Sequence, residues 1–202
     1  MSELPITSND VRGRSRVWDL APNDPEGAAK AAMQIKHPWY RCQALTRAAE
    51  FATGPKRSHL LNAAVAAAQE QDQPNRIVTV SSWPVRILAE ISPNRAADLI
   101  CELIEVANTE PHNLRRAHAL QALAFAVSNH TELLGLIVPS LATTILGGGG
   151  PRIDRIIRDT FELVRKTNPE LLHTLALHHK ANRQQQKLLA TASVLEIQTS
   201  FS

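Results

Sequence analysis

A proline followed closely by an arginine recurs along this chain, and each copy opens a helical pattern of apolar residues. The copies occupy residues 37–41, 73–76, 110–116 and 150–152, and their arginines are 35, 40 and 36 residues apart. A period of about 20–50 residues is typical of stacked repeats, in which each unit buries its apolar face against the next. The spacing therefore predicts a repeat architecture.

The composition favours helices as the repeated element. Aromatic residues make up only 4% of the chain while apolar residues make up 44%, so alanine and leucine carry the core. Proline, glycine, serine and asparagine connectors predict ten helices and leave no room for strands. The predicted helices span residues 24–35, 38–52, 57–69, 74–90, 92–107, 111–127, 131–146, 151–166, 168–178 and 183–197. Pro84 lies inside the fourth and predicts a kink or a break there.

The predicted helices alternate between two kinds, here called A and B, and the B helices are those that follow the proline–arginine motif. Counting from each motif arginine, apolar residues fall near positions +1, +4, +7 or +8, and +11. In the copy that contains Arg76 these are Ile77, Val80, Trp83 and Ile87. Such spacing places an apolar stripe along one face of each B helix.

The B-helix pattern resembles a known family. Residues 38–45 and 114–120 are similar to the second helix of HEAT-like repeats, closest to the short variety of bacterial and phycobilisome-lyase-type arrays. The resemblance covers roughly residues 24–197. It implies an all-α fold, an α-solenoid of about five antiparallel helix pairs in a right-handed superhelix, with the B helices lining a concave groove. It also implies that the motif arginines bridge neighbouring repeats, and that the protein binds another macromolecule.

We expect one domain with an arm before it. Residues 1–23 are polar, basic and broken by proline and glycine, and we expect this arm to be partly ordered around Val17, Trp18 and Leu20. The alternative is a basic arm that reaches for an acidic partner. Residues 24–202 are predicted to form a single HEAT-like domain, with a flexible joint at the four glycines of residues 147–150.

The face of the B helices opposite the apolar stripe is the candidate binding surface. At about 100° per residue, positions +2, +6, +9 and +13 point away from the stripe. Arginine and phenylalanine on one exposed face are typical of protein-binding surfaces. The alternative is that the termini or a second subunit cover this face. The predicted partner-binding residues are Arg47, Ser82, Arg86, His118, Phe125, Arg158, Phe161 and Arg165.

The sequence offers no catalytic, metal or cofactor motif. His173, His178 and His179 lie close in sequence, but a spacing of five does not fit one helix face, so we predict no metal and no cofactor. Nucleophile-elbow, dinucleotide and phosphate-loop patterns are absent from the sequence. The two cysteines, Cys42 and Cys101, are too few for a disulfide framework and fit a reducing compartment. No signal or membrane-length apolar run occurs, so we expect a soluble cytoplasmic protein without a membrane partner.

The leading hypothesis is a non-enzymatic scaffold or adaptor that binds a protein, for example an immunity or regulatory protein. A nucleic-acid-binding protein, with a DNA-glycosylase-like enzyme as its catalytic version, is the alternative, because the net charge is +3 and arginine outnumbers lysine. A repeat module of a larger assembly is a third interpretation. The apolar run at residues 133–138 further predicts a homodimer, if it leaves an exposed patch.

Overall fold

The structure, a computed structural model, describes the backbone of residues 5–199 and the side chains of residues 5–193. The described part of the chain is all-helical and contains no strand. Each of the ten predicted helices is present, which confirms the all-α prediction. The elements are α1 (Ser8–Leu20), α2 (Pro25–Met33), α3 (Pro38–Phe51), α4 (Gly54–Gln69), α5 (Pro74–Ile91), α6 (Pro93–Asn108), α7 (Asn113–Ala126), α8 (Thr131–Leu146), α9 (Pro151–Thr167), a 3-10 turn (Pro169–Leu171), α10 (Leu172–His178) and α11 (Asn182–Thr199).

Helix α1 lies in the segment expected to be a partly ordered arm. The Thr7 hydroxyl accepts a hydrogen bond from the Asp10 backbone N–H at 3.3 Å, and the Asp10 carboxylate accepts one from the Thr7 backbone N–H at 2.9 Å. These reciprocal bonds form a capping box, which satisfies N–H groups that the first helical turn leaves open. Val17 is buried on this helix. The arm is therefore ordered as a helix over residues 8–20.

The chain divides into two compact units, and the boundary lies between Leu99 and Ile100, inside α6. In the first unit each helix from α1 to α5 packs on the next, and α3 also packs on both α1 and α5. In the second unit α7 packs on α8 and on α9, and α8 packs on α9 and α10. Within each unit the B helices therefore lie side by side. One domain over residues 24–202 stays a prediction.

The predicted apolar stripe is the buried face of α3, α7 and α9, where its positions are all buried. In α5 the stripe is less complete, because Ile77 and Trp83 are only half-buried while Val80 and Ile87 are buried. Trp83 therefore has part of its ring at the surface of the first unit. That exposure makes it a candidate for binding rather than for packing alone.

Helix α5 continues through Pro84, so the predicted break is not found. Proline has no N–H, and the carbonyl of Val80, four residues earlier, loses its helical donor. The Cys42 thiol on α3 lies 3.5 Å from this carbonyl and donates to it. Burial raises the pKa of Cys42, so the thiol keeps the proton that this bond requires. The neighbouring helix thus supplies the donor that Pro84 removes.

We expect the costs of changing Cys42 and Pro84 to be coupled. Cys42→Ala should lower the free energy of unfolding by about 1.5 kcal/mol, because it removes buried volume and leaves the Val80 carbonyl unpaired. In a Pro84→Ala background the backbone N–H returns, and the cost of Cys42→Ala should fall by about 1 kcal/mol. Urea unfolding of the four proteins of this cycle measures the coupling. Equal costs in both backgrounds would show that the thiol does not replace the missing donor.

Side chains from two other helices hold the glycine run at residues 147–150. The Asn113 amide donates to the Gly147 carbonyl, and the His178 ring nitrogen Nε2 lies 2.8 Å from the Gly148 carbonyl oxygen. Gly150 is the N-cap of α9 and has a φ of +94°, which only glycine adopts readily. A flexible joint at residues 147–150 stays a prediction. Movement at this joint would have to break the contacts of Asn113 and His178 with the glycine carbonyls.

Helix α8 buries most of the apolar run at residues 133–138. Leu133, Leu134, Ile137 and Val138 are buried, and Leu136 is the exposed large apolar residue of the run. This run therefore does not leave the exposed apolar patch from which a homodimer was predicted, and the homodimer stays a prediction. No helix in the described range is both long enough and apolar enough to cross a bilayer.

In each unit an aspartate in the first turn of a helix accepts a hydrogen bond from a backbone N–H group 26 residues later in the sequence. The Asp10 carboxylate accepts the N–H groups of Lys36 and His37 at 3.1 and 2.9 Å, just before α3. The Asp154 carboxylate of α9 accepts the N–H of Lys180 at 3.1 Å, just before α11. In both units the carboxylate therefore holds the connection that leads into a later helix, α3 in the first unit and α11 in the second.

Candidate protein-binding surface

In the first unit the structure brings two of the predicted binding residues together. Arg47 on α3 and Arg86 on α5 bond to different oxygens of one carboxylate, that of Glu50. The side chain of Glu50 is 16% exposed and that of Arg86 is 48% exposed. Ser82 lies on the same helix as Arg86, but its hydroxyl donates to the Thr79 carbonyl at 2.7 Å. The arginine pair is therefore the part of the prediction that forms a surface site here.

Aromatic rings flank the arginines of this site. The guanidinium carbon of Arg47 lies 4.6 Å from the ring centre of Phe51 and 5.9 Å from that of Trp18. Arg14 on α1 has a similar arrangement. Its guanidinium carbon lies 5.8 Å from the ring centre of Trp18 and 5.2 Å from that of Tyr40. Cations at these distances are attracted to the ring faces. Aromatic and cationic side chains thus alternate across α1 and α3.

A pair of tryptophans extends the site to α5. The Trp18 and Trp83 ring centres are 5.7 Å apart with an interplanar angle of 76°, an edge-to-face contact. Both rings are half-buried. We call the whole set the aromatic–arginine cluster. Its members are Arg14, Trp18, Tyr40, Arg47, Glu50, Phe51, Trp83 and Arg86.

Of the eight members of this cluster, the predicted binding residues include only Arg47 and Arg86, and the omission of the others has identifiable reasons. Arg14 and Trp18 lie on α1, in the segment predicted to be an arm, although Thr7 and Asp10 have the spacing of a capping box. Trp83 falls on the apolar stripe and was assigned to the core. The spacing of four residues between Arg14 and Trp18 is the signal that places them on one helix face.

In the second unit four of the predicted residues lie at the surface. Phe125 on α7 is 47% exposed, and His118 lies on the same helix with its Nδ1 atom 3.3 Å from the Gln121 side-chain oxygen. Arg158 and Arg165 are exposed on α9, and Arg165 Nε donates to Glu162 at 2.7 Å. The structure gives no contact that joins these four residues into one cluster comparable to that of the first unit.

Phe161 is a correction to the predicted surface, because it is only 3% exposed. Helix α9 has a buried face wider than the predicted stripe, and Phe161 follows Ile157 by one turn on that face. The prediction placed it at position +9 from the motif arginine, opposite the apolar stripe. The buried residues of α9 are Ile153, Asp154, Ile156, Ile157, Thr160, Phe161, Leu163 and Val164.

The exposed face of α9 carries several arginines and two acidic residues, Asp159 and Glu162. Arg155 lies 3.9 Å from Asp159, and Arg165 pairs with Glu162 as above. These pairs follow the three- and four-residue spacing of neighbours on one helix. They neutralise part of the positive charge of this face, whereas Arg152 and Arg158 are also exposed there.

The motif arginines make local structural contacts. Arg41 donates to the Lys36 carbonyl at 3.3 Å and pairs with Glu70 at the end of α4. Arg76 pairs with Asp72 at 3.4 Å. Arg41 thus ties α3 to the connection before it and to the end of α4, and Arg76 ties α5 to the connection before it. That the motif arginines bridge neighbouring repeats stays a prediction.

The described residues contain no group of three or more histidine, cysteine, aspartate or glutamate side chains that could hold a metal ion. Comparisons with models of protein families, with curated proteins and with solved structures found no match for this chain.

Proposed function

We propose that this protein is a non-enzymatic scaffold that binds a protein partner through the exposed faces of its B helices. The proposal includes an α-solenoid of about five antiparallel helix pairs, wound as a right-handed superhelix. It is supported by the packing of B helix on B helix in each unit and by the motif pattern.

The observation that carries the proposal is the aromatic–arginine cluster. Tryptophan, tyrosine and arginine are the residues that most often dominate binding energy at protein interfaces. Here they occur together at the surface of α1, α3 and α5, with Phe51 36% exposed beside them. The partly exposed rings and the half-exposed Arg86 side chain are thus accessible to a partner.

A pull-down from the native host, followed by mass spectrometry, tests the proposal. The test variant is Arg47→Ala with Arg86→Ala, which removes both guanidinium groups from the cluster. The matched control is Lys56→Ala with Arg95→Ala, since these cations pair with Glu26 and Asn62 on A helices. We expect the test variant to lose at least 90% of a partner that wild type and control capture, because hot-spot arginines contribute about 2 kcal/mol each. Equal capture by both variants would contradict the proposal.

Nucleic-acid binding is the second candidate, and the exposed arginines of α9 favour it. Phosphate-driven binding weakens steeply as salt rises. A gel-shift series with random duplex and single-stranded DNA decides this candidate, and absence of a shift at low salt would end it. The acids Asp159 and Glu162 among these arginines are the reason that we rank it below protein binding.

A further inference from the structure

The arginines of the aromatic–arginine cluster have hydrogen-bonding capacity that the described residues do not use. A guanidinium group carries five N–H donors. Arg47 and Arg86 each donate to one oxygen of Glu50, and Arg14 donates to the Gln43 side-chain oxygen at 3.3 Å. The Nε atom of Arg47 is buried and has no acceptor. Apart from this buried Nε, these three side chains thus keep donors that can bond to another acceptor.

The aromatic rings restrict how an acceptor reaches these donors. A guanidinium group that lies against a ring has its face covered, and its N–H groups remain at the edge of the plane. The Arg47 guanidinium carbon lies 4.6 Å from the Phe51 ring centre and 5.9 Å from that of Trp18, and Arg14 has two ring neighbours in the same way, Trp18 and Tyr40. The forked N–H donors of an arginine match the two oxygens of a carboxylate.

Glu50 already shows the mode of recognition. One carboxylate on α3 bridges two arginines from different helices, and it is the acidic member of a cluster that contains three arginines. Its side chain is mostly buried, so it is held at the base of the cluster rather than at its rim. A carboxylate from outside would meet the same two guanidinium groups and would have to share them with Glu50.

We propose that the aromatic–arginine cluster binds an acidic segment of a protein partner, and that Glu50 is an internal carboxylate that competes with the partner's acidic side chains for Arg47 and Arg86. This inference rests on the proposed function and gives its partner a chemical class. The net positive charge of the cluster complements such a segment. Nucleic acid is the weaker match, because the Trp18 ring already contacts two guanidinium groups and Trp83, whereas base binding uses open ring faces.

The substitution Glu50→Gln tests the competition. The probe is a fluorescein-labelled peptide of alternating glutamate and serine, and its Kd is measured by fluorescence polarisation at low salt. Glu50→Gln should tighten the Kd about fivefold, because both arginines lose the internal negative charge that they share while the side-chain shape stays. The control Glu26→Gln removes the same charge from the pair with Lys56 on α2 and α4, and it should change the Kd less than twofold.

A second variant keeps the test informative if Glu50 also positions the arginines. Arg47→Lys with Arg86→Lys preserves the charge but removes the forked donors, and it should weaken the Kd at least fivefold. A Kd that is unchanged or weaker in Glu50→Gln would overturn the competition. Tighter binding of a single-stranded DNA of equal charge than of the peptide would overturn the acidic-segment partner.

Failure of this inference can be told apart from failure of the proposed function. If neither wild type nor Glu50→Gln binds the peptide, the acidic-segment inference is wrong. The pull-down described above would still report whether Arg47 and Arg86 are needed to capture a protein.

Discussion

Phe161→Ala is expected to lower the free energy of unfolding by about 4 kcal/mol, since truncating a buried phenylalanine removes apolar contact and leaves a cavity. Phe161 is 3% exposed on the wide buried face of α9. Urea unfolding followed by circular dichroism measures the loss, from the midpoint and slope of the transition. The expected effect is on folding, even though sequence reasoning assigns this residue to binding.

Phe125→Ala is the matched control for this prediction. The same truncation is made at a side chain that is 47% exposed, so it should change the free energy of unfolding by no more than about 1 kcal/mol. A loss at Phe125 equal to that at Phe161 would contradict the burial of Phe161. Lower partner capture by Phe125→Ala, with stability intact, would instead extend the binding surface to the second unit.

Asp10→Ala should lower the free energy of unfolding by about 3 kcal/mol. The substitution removes the capping box of α1 and leaves the N–H groups of Lys36 and His37 without their acceptor. The Asp10 side chain is only 3% exposed, so water replaces these bonds poorly. Asp19→Ala is the control, because Asp19 is an exposed aspartate on the same helix and should cost less than about 0.5 kcal/mol.

The contribution of Asp10 should also depend on pH. Burial by itself would raise the pKa of Asp10, but hydrogen bonds from the Thr7 hydroxyl and from the backbone N–H groups of His37, Thr7 and Lys36 lower it to about 2. The folded protein therefore holds the charged form more strongly than the unfolded chain, whose value is near 3.8. This stabilisation is complete above about pH 4 and is lost as the pH falls towards 2.

The stability difference between wild type and Asp10→Ala should accordingly shrink by about 2 kcal/mol between pH 5 and pH 2, by the linkage between pKa and stability. Urea unfolding of both proteins at several pH values measures it. A difference that does not change with pH would show that the carboxylate is not preferentially charged in the folded state.

Most of the helices could be predicted because their starts are marked in the sequence. Pro25, Pro38, Pro74, Pro93 and Pro151 each stand at the first position of a helix, where a missing N–H costs nothing. Helix α1 has no such proline, and its start depends on a hydroxyl and a carboxylate three residues apart. The boundary between the units lies inside the continuous helix α6, so no connector in the sequence announces it.

The candidate site was predictable only along each helix. Periodicity placed Arg47 on the exposed face, but its meeting with Arg86 at Glu50 depends on how α3 packs against α5. Phe161 shows the opposite error, because the width of a buried face is set by the neighbouring helices rather than by the helix's own pattern. Sequence periodicity therefore did not predict the contacts between helices.

Because Cys42 is buried and bonded to the Val80 carbonyl, whereas Cys101 is exposed, the alkylation rates of the two thiols can report local opening of the protein. Cys101 is exposed on α6, so a maleimide reagent reaches it in the folded protein. Cys42 is buried between α3 and α5, so the reagent reaches it only during the moments when these helices separate. The ratio of the alkylation rate of Cys42 to that of Cys101 therefore reports how often the first unit opens, and no engineered label is needed.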